Sequence, residues 1–268
     1  YLEVDREGYI SLEQLESEVN NETLLVSIMH VNNEIGSIQN IKEIGNIIKK
    51  KNHSTYFHVD GVQAFGKVPV SVKDSNIDLY SISAHKIHGP KGVGALYVKK
   101  GTRLQSLFLG GGQEKGYRSG TENVPGISGL GKAVEIYYEH QQEYIEHLIA
   151  LKRDLAERIT ENIEQTAING PSVEDGAPHI LNISFAGIRG EVLLHALEQK
   201  GVLVSTGSAC SSRKKKISHV LEAIGLHSDQ AEGAIRFSLS PLNTKRDIEI
   251  AAEEVQKCVQ QLRKFRRK

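Results

Sequence analysis

Four short apolar runs constrain this chain more than any other feature. They lie at residues 23–29 (Thr-Leu-Leu-Val-Ser-Ile-Met), 55–60 (Thr-Tyr-Phe-His-Val-Asp), 77–83 (Ile-Asp-Leu-Tyr-Ser-Ile-Ser) and 93–98 (Val-Gly-Ala-Leu-Tyr-Val). Each has the length of a strand, and the first reads as a buried one. Between the first two, Ile41, Ile44, Ile47 and Ile48 recur at helical spacing. Strands alternating with a helix build βαβ units, so the expected fold is α/β with a mainly parallel sheet. Ligands of such sheets bind beyond the carboxyl ends of the strands. Asp60 and Ser83 close two of the runs, which puts a candidate site there before any motif is considered.

The pattern changes further along. A Gly-rich stretch from Gly110 to Gly120 precedes a long helical segment striped by Leu148, Leu151, Leu155 and Ile159. Residues 182–185, 202–204 and 234–239 then read as strands of a smaller α+β unit, with a helix over 190–200. Thr244-Lys245-Arg246-Asp247 resembles a capping box opening a final helix that carries Ile248, Ala251, Val255, Val259 and Leu262. The domain change is expected near residue 140, giving a large domain over 1–140 and a small C-terminal one over 141–268.

Charge and cysteine content narrow the class. Lys+Arg and Asp+Glu both total 33, so no global field favours nucleic acid or an anionic membrane. No apolar run reaches the roughly 20 residues of a membrane helix. Two cysteines, Cys210 and Cys258, make no disulfide framework, and a reducing, cytoplasmic setting is expected. The opening residues read as the middle of a domain, so a preceding segment is expected.

Lys86 follows directly on the third run, in Ser83-Ala84-His85-Lys86-Ile87-His88-Gly89-Pro90. A lysine at a strand's carboxyl end can be partly desolvated, which lowers its pKa and frees an amine for imine formation. Taken alone, the string also fits a surface-loop lysine. Asp60, in Val59-Asp60-Gly61-Val62-Gln63, is either a helix N-cap or a carboxylate awaiting a buried cation such as a protonated pyridine.

These strings, taken with His30-Val31-Asn32-Asn33-Glu34-Ile35-Gly36, Arg118-Ser119-Gly120-Thr121-Glu122-Asn123 and Ser205-Thr206-Gly207-Ser208-Ala209-Cys210, resemble the cysteine desulfurases of the class V aminotransferase-like branch. The Ser-Thr-Gly-Ser-Ala-Cys string is similar to their long-loop group. The resemblance covers essentially the whole chain. It implies a pyridoxal 5'-phosphate (PLP) cofactor in imine linkage to Lys86, with Asp60 on the pyridine nitrogen, Gln63 on the ring's phenolic oxygen, and Ser83 and His85 on the phosphate. Thr121 matches a residue reaching the phosphate site of a partner subunit, so a homodimer is implied. Asn33 and Arg236 match the positions that grip the substrate carboxylate, a role suited to the guanidinium fork. Arg236 read by itself equally fits a strand-surface salt bridge. The implied reaction takes sulfur from L-cysteine, leaving L-alanine and a persulfide on Cys210. Implied acceptors are iron–sulfur scaffold proteins or tRNA-thiolation enzymes. No metal ligands are assigned. The family's upstream phosphate cradle and ring-stacking histidine match no residue of this chain.

Cys210 sits among small, polar and basic residues, with Ser211-Ser212-Arg213-Lys214-Lys215-Lys216 after it. Such a loop favours a thiolate that must travel. The lysine run is either a solvated face or a docking patch for an acidic acceptor. Cys258, among Val255 and Val259, reads as core. The alternatives to a desulfurase are a selenocysteine lyase, another PLP enzyme of this fold such as an aminotransferase, and an inactive fragment that dimerises as a scaffold.

Overall fold

The computed structural model describes residues 1–207 and 218–266. The elements run α1 (Leu12–Glu18), β1 (Leu25–Met29), α2 (Ile41–Lys51), β2 (Tyr56–Asp60), β3 (Leu79–Ser83), β4 (Gly94–Val98), α3 (Val124–Glu139), α4 (Gln141–Asn162), β5 (Thr166–Ile168), β6 (Ile180–Phe185), α5 (Gly190–Glu198), α6 (His219–Ala223), α7 (Ser228–Glu232), β7 (Ala234–Ser238) and α8 (Lys245–Arg266). They fall into two units. One comprises Leu15–His30 and Asn40–Gln141, and the other Tyr1–Gln14, Val31–Gln39 and Gln142–Lys268.

The first unit is built on a sheet of order β1-β2-β3-β4. β1, β2 and β3 run parallel, and β4 returns antiparallel to β3. The α/β expectation holds, with a mixed, mostly parallel sheet. α2 buries Ile41, Ile44 and Ile48. Asn40 caps it by accepting the Glu43 amide, and lysines 49–51 lie at its negative end, where the helix dipole favours them. Asp78 stitches the strand starts together. It accepts from Lys49 Nζ at 2.6 Å and from the Phe57 amide at 2.9 Å, and pairs with Lys99 at 3.3 Å. The run at 23–29, expected to be buried, is exposed at Leu24, Leu25 and Met29. β1 pairs with β2 alone among the described strands, and the exposed residues fall on and beside it.

The second unit carries the antiparallel sheet β5-β6-β7. All six residues of β6 are buried. Leu181, Ile183 and Phe185 pack with Leu155 and Ile159 of α4, Leu193 and Leu197 of α5, and Val255 and Val259 of α8. Cys258 is buried in this core, and burial pushes its thiol pKa up. The capping box at the start of α8 forms reciprocally. The Thr244 amide donates to Asp247 Oδ2 at 2.8 Å, and the Asp247 amide to Thr244 Oγ1 at 3.2 Å. Residues 202–204 are not a strand; only Ser205 pairs, as an isolated bridge to Arg236. The Val202 amide turns back to the Leu197 carbonyl at 3.0 Å, and pairing starts one residue past the expected run.

The division of the chain at Gln141/Gln142 has a further feature. Residues 31–39, carrying Asn33, group with the C-terminal unit. Asn182 Nδ2 donates to the Glu34 carbonyl at 3.1 Å, Arg236 Nη1 to the Asn33 carbonyl at 2.9 Å, and the Ala177 amide to the Gly36 carbonyl at 2.8 Å.

Candidate active site

In the first unit, β2 and β3 end side by side. Asp60 is the last residue of β2 and lies opposite Ser81, two residues before the end of β3. Asp60 is half-buried, and its Oδ1 accepts the Val62 amide at 3.0 Å, the turn-capping geometry that its sequence also allowed. Gly61 then takes the chain across the face of Tyr80. A Cβ at Gly61 would collide with the Tyr80 ring and its hydroxyl, so only glycine fits there. Burial, with the charges of Tyr138 and Asp60, drives the Tyr80 phenol pKa well up, so it stays protonated. His58 spans the sheet, its Nδ1 2.7 Å from Ser27 Oγ and its Nε2 2.8 Å from Ser81 Oγ. Burial lowers its pKa despite the opposing charge of Asp60.

Lys86 lies in a single 3₁₀ turn, Ala84–Ile87, that follows β3 directly. Ala84 and Ile87 are buried beneath it, while Lys86 is half-buried and His85 exposed. His88 closes the turn in the left-handed region at φ 60. The Ala84 amide donates to the Val93 carbonyl at 3.0 Å, tying the turn to the segment entering β4. Gly89 follows, where a Cβ would meet Ala84 at 3.0 Å and Ala133 of α3 at 3.3 Å. Ser83 Oγ and His85 Nδ1 stand 2.8 Å apart, a hydroxyl and an imidazole together at the strand end. Gln63 is half-buried in the turn after Asp60. Thr121 is exposed in the segment before α3, and among the described residues no hydrogen bond ties it to the other five positions.

In the second unit, Asn33 and Arg236 come together through the Arg236 Nη1 bond to the Asn33 carbonyl. Arg236 Nε is buried without a hydrogen-bond partner among the described residues, and Arg236 makes no ion pair there. A buried guanidinium N–H left unpaired costs free energy, and an incoming carboxylate would satisfy it. Glu34, beside Asn33, is buried and accepts from Ser218 Oγ at 2.5 Å. Glu34 stands within one of the quoted motif strings, but nothing in the sequence gives it a role, because a lone buried carboxylate leaves no periodic trace. Cys210 and residues 211–216 lie outside the described residues.

Comparison with known proteins identifies the family. Residues 1–250 match the model of the family described as aminotransferase class-V. The chain is 49% identical over 266 residues to a cysteine desulfurase IscS of Clostridium botulinum, covering 99% of this chain and 66% of that protein. Among solved structures, a NifS-like protein superposes with a TM-score of 0.90 at 41% identity, covering 98% of this chain and 68% of the other. SspA, solved in complex with cysteine, gives 0.73 at 37% identity over 91% of this chain and 67% of the other. This chain belongs to the class V aminotransferase family. It spans about two thirds of the length of the curated relatives it matches.

Proteins of this family use pyridoxal phosphate. The donors of the first unit fit that molecule in kind. An amine suits an aldehyde, a half-buried carboxylate suits a pyridinium, and a hydroxyl beside an imidazole suits a phosphate. Among the described residues, no helix is long and apolar enough to cross a membrane.

Proposed function

We propose that the protein is a PLP-dependent cysteine desulfurase, with Lys86 as the cofactor lysine and Cys210 as the sulfur acceptor. The observation that carries this reading is the gathering of Asp60, Ser83, His85 and Lys86 at the carboxyl ends of two adjacent parallel strands. The relative solved with cysteine supports the choice of substrate.

Bound PLP would supply an electron sink for the substrate's α-carbon. The chain's own residues do the rest. Asp60 holds the pyridine nitrogen protonated, Gln63 steadies the phenolic oxygen, and Ser83 and His85 bind the phosphate, with Thr121 reaching the phosphate site of a second copy in a homodimer. Asn33 and Arg236 take the substrate carboxylate. Lys86 removes a proton at the α-carbon and returns one. The Cys210 thiolate attacks the substrate sulfur as the carbon–sulfur bond breaks, so L-cysteine and a thiol become L-alanine and a persulfide on Cys210. That sulfur then passes to an iron–sulfur scaffold or tRNA-thiolation partner in a reducing, cytoplasmic setting.

The test adds PLP and L-cysteine to the protein. The expected result is a visible absorption band that Lys86→Ala lacks, alanine formed in step with cysteine consumed, and mass-spectrometric sulfur on Cys210. Cys210→Ala is expected to keep the band and lose sulfur transfer. Transfer to an acceptor by Cys210→Ala would refute the assignment, and a faster reaction with selenocysteine would redirect it to a lyase.

A further inference from the structure

The proposed mechanism leaves unused a second lysine lying directly under the Lys86 turn. Lys67 is 5% exposed, in a short apolar stretch, Ala64-Phe65-Gly66-Lys67-Val68. Gly66 brings the chain close to α3, with φ at +79 and room for a Cβ only 2.9 Å from Tyr137 Cδ1. The Lys67 side chain then passes 5.9 Å from the centroid of the Tyr137 ring, and its Nζ donates to the Lys86 carbonyl at 2.7 Å. The carbonyls at the end of a helical turn have no partner within the turn, so this bond meets a need. What is unusual is the charge. Among the described residues no carboxylate pairs with Lys67, and its titratable neighbours are Lys86, His88 and Tyr137. Burial, reinforced by the charge of Lys86, lowers its pKa to about 8, and the charge of Lys67 in turn helps lower that of His88. A buried ammonium without a counter-ion is costly, and an apolar residue of similar size would fill the space at less expense.

We propose that Lys67 is a positioning residue for Lys86: its buried side chain grips the turn by the Lys86 carbonyl and, while protonated, sets a positive charge beneath the amine, favouring the unprotonated, nucleophilic form. A neighbouring cation is a recognised means of activating a lysine toward carbonyl compounds. The inference deepens the proposed function and rests on Lys86 being the cofactor lysine.

The test is competitive acetylation with acetic anhydride across pH, read on the Lys86 peptide by mass spectrometry, in the wild type, Lys67→Met and Lys67→Arg. In Lys67→Met the Lys86 titration midpoint is expected to rise by roughly one pH unit, which is about tenfold less reactive amine at a fixed pH below it. Lys67→Arg, which stays charged throughout, is expected to give a midpoint at or below that of the wild type. A purely structural role would move neither midpoint. An unshifted midpoint in Lys67→Met overturns the proposal, as does a Lys67→Arg midpoint as high as that of Lys67→Met. Should Lys67→Met fail to fold, Lys67→Gln takes its place: a raised Lys86 midpoint supports the proposal and an unshifted one overturns it. Addition of PLP separates the two readings. A wild-type band with an unshifted Lys86 midpoint overturns the inference alone. A wild type without a band absent from Lys86→Ala overturns the proposed function, and this inference with it.

Discussion

His30, at the end of β1, makes the sheet that carries the candidate site sensitive to acid. The residue is 4% exposed, and its Nδ1 is buried with no hydrogen-bond partner among the described residues. Burial alone pushes its pKa from the ordinary 6.5 down to about 4. Below pH 6.5 the unfolded chain takes up a proton that the folded one refuses until about pH 4. Stability is therefore fully present above pH 6.5 and lost on acidification through that window. At about 1.4 kcal/mol per pH unit, the whole shift amounts to about 3 kcal/mol. About 1.4 kcal/mol of it is gone by pH 5.5 and about 2.5 kcal/mol by pH 4.5. The assay is urea unfolding of wild type and His30→Leu at pH 7, 5.5 and 4.5, with unfolding free energies extrapolated to water. Leucine is close in volume, and the His30 amide bond to the Asp60 carbonyl is a main-chain bond that survives the change. The wild type is expected to lose those amounts in excess of the variant, since other titrating groups are common to both chains. Parallel losses in the two proteins would refute the argument.

Two more outcomes follow from the geometry. Arg236→Lys keeps the charge but forfeits the fork, and the KM for L-cysteine is expected to rise roughly tenfold or more with kcat much less affected, measured by alanine formation. Asp78→Asn leaves the Lys49 ammonium, 13% exposed, without its carboxylate, and a loss of roughly 3 kcal/mol in urea unfolding is expected.

Much of this protein can be read from its residues, in proportion to how local the cause is. The runs at 55–60, 77–83 and 93–98 became strands because strand length and β-branched or aromatic content act within the run itself. The Thr244–Asp247 box closes within four residues and was equally plain. Failures came where a distant partner decides. The run at 23–29 looks interior, yet its exposure depends on which strands flank it. Residues 202–204 look like a strand, yet pairing begins only at Ser205. β5 is three residues long and went unnoticed, since Thr166-Ala167-Ile168 gives too short a period to register. Residues 31–39 sit early in the chain but are bonded to Asn182 and Arg236, some 150 to 200 positions on, which no local pattern reports. At the candidate site, motif strings single out Asp60, Ser83, His85 and Lys86, which lie at or just beyond the ends of β2 and β3. Glu34 and Lys67 escaped because a solitary buried charge has no spacing. The only hint of Lys67 is a lone cation inside an apolar stretch.

The turn bearing Lys86 is moored from several directions: the Val93 carbonyl holds its first amide, Ala133 crowds its exit at Gly89, and Lys67 grips its carbonyl from below. A main chain held this way has little freedom to follow a reacting molecule. Whatever travel the proposed chemistry demands must come from rotation about the bonds of the side chain's four methylenes, so the amine would swing like a jib from a fixed mast.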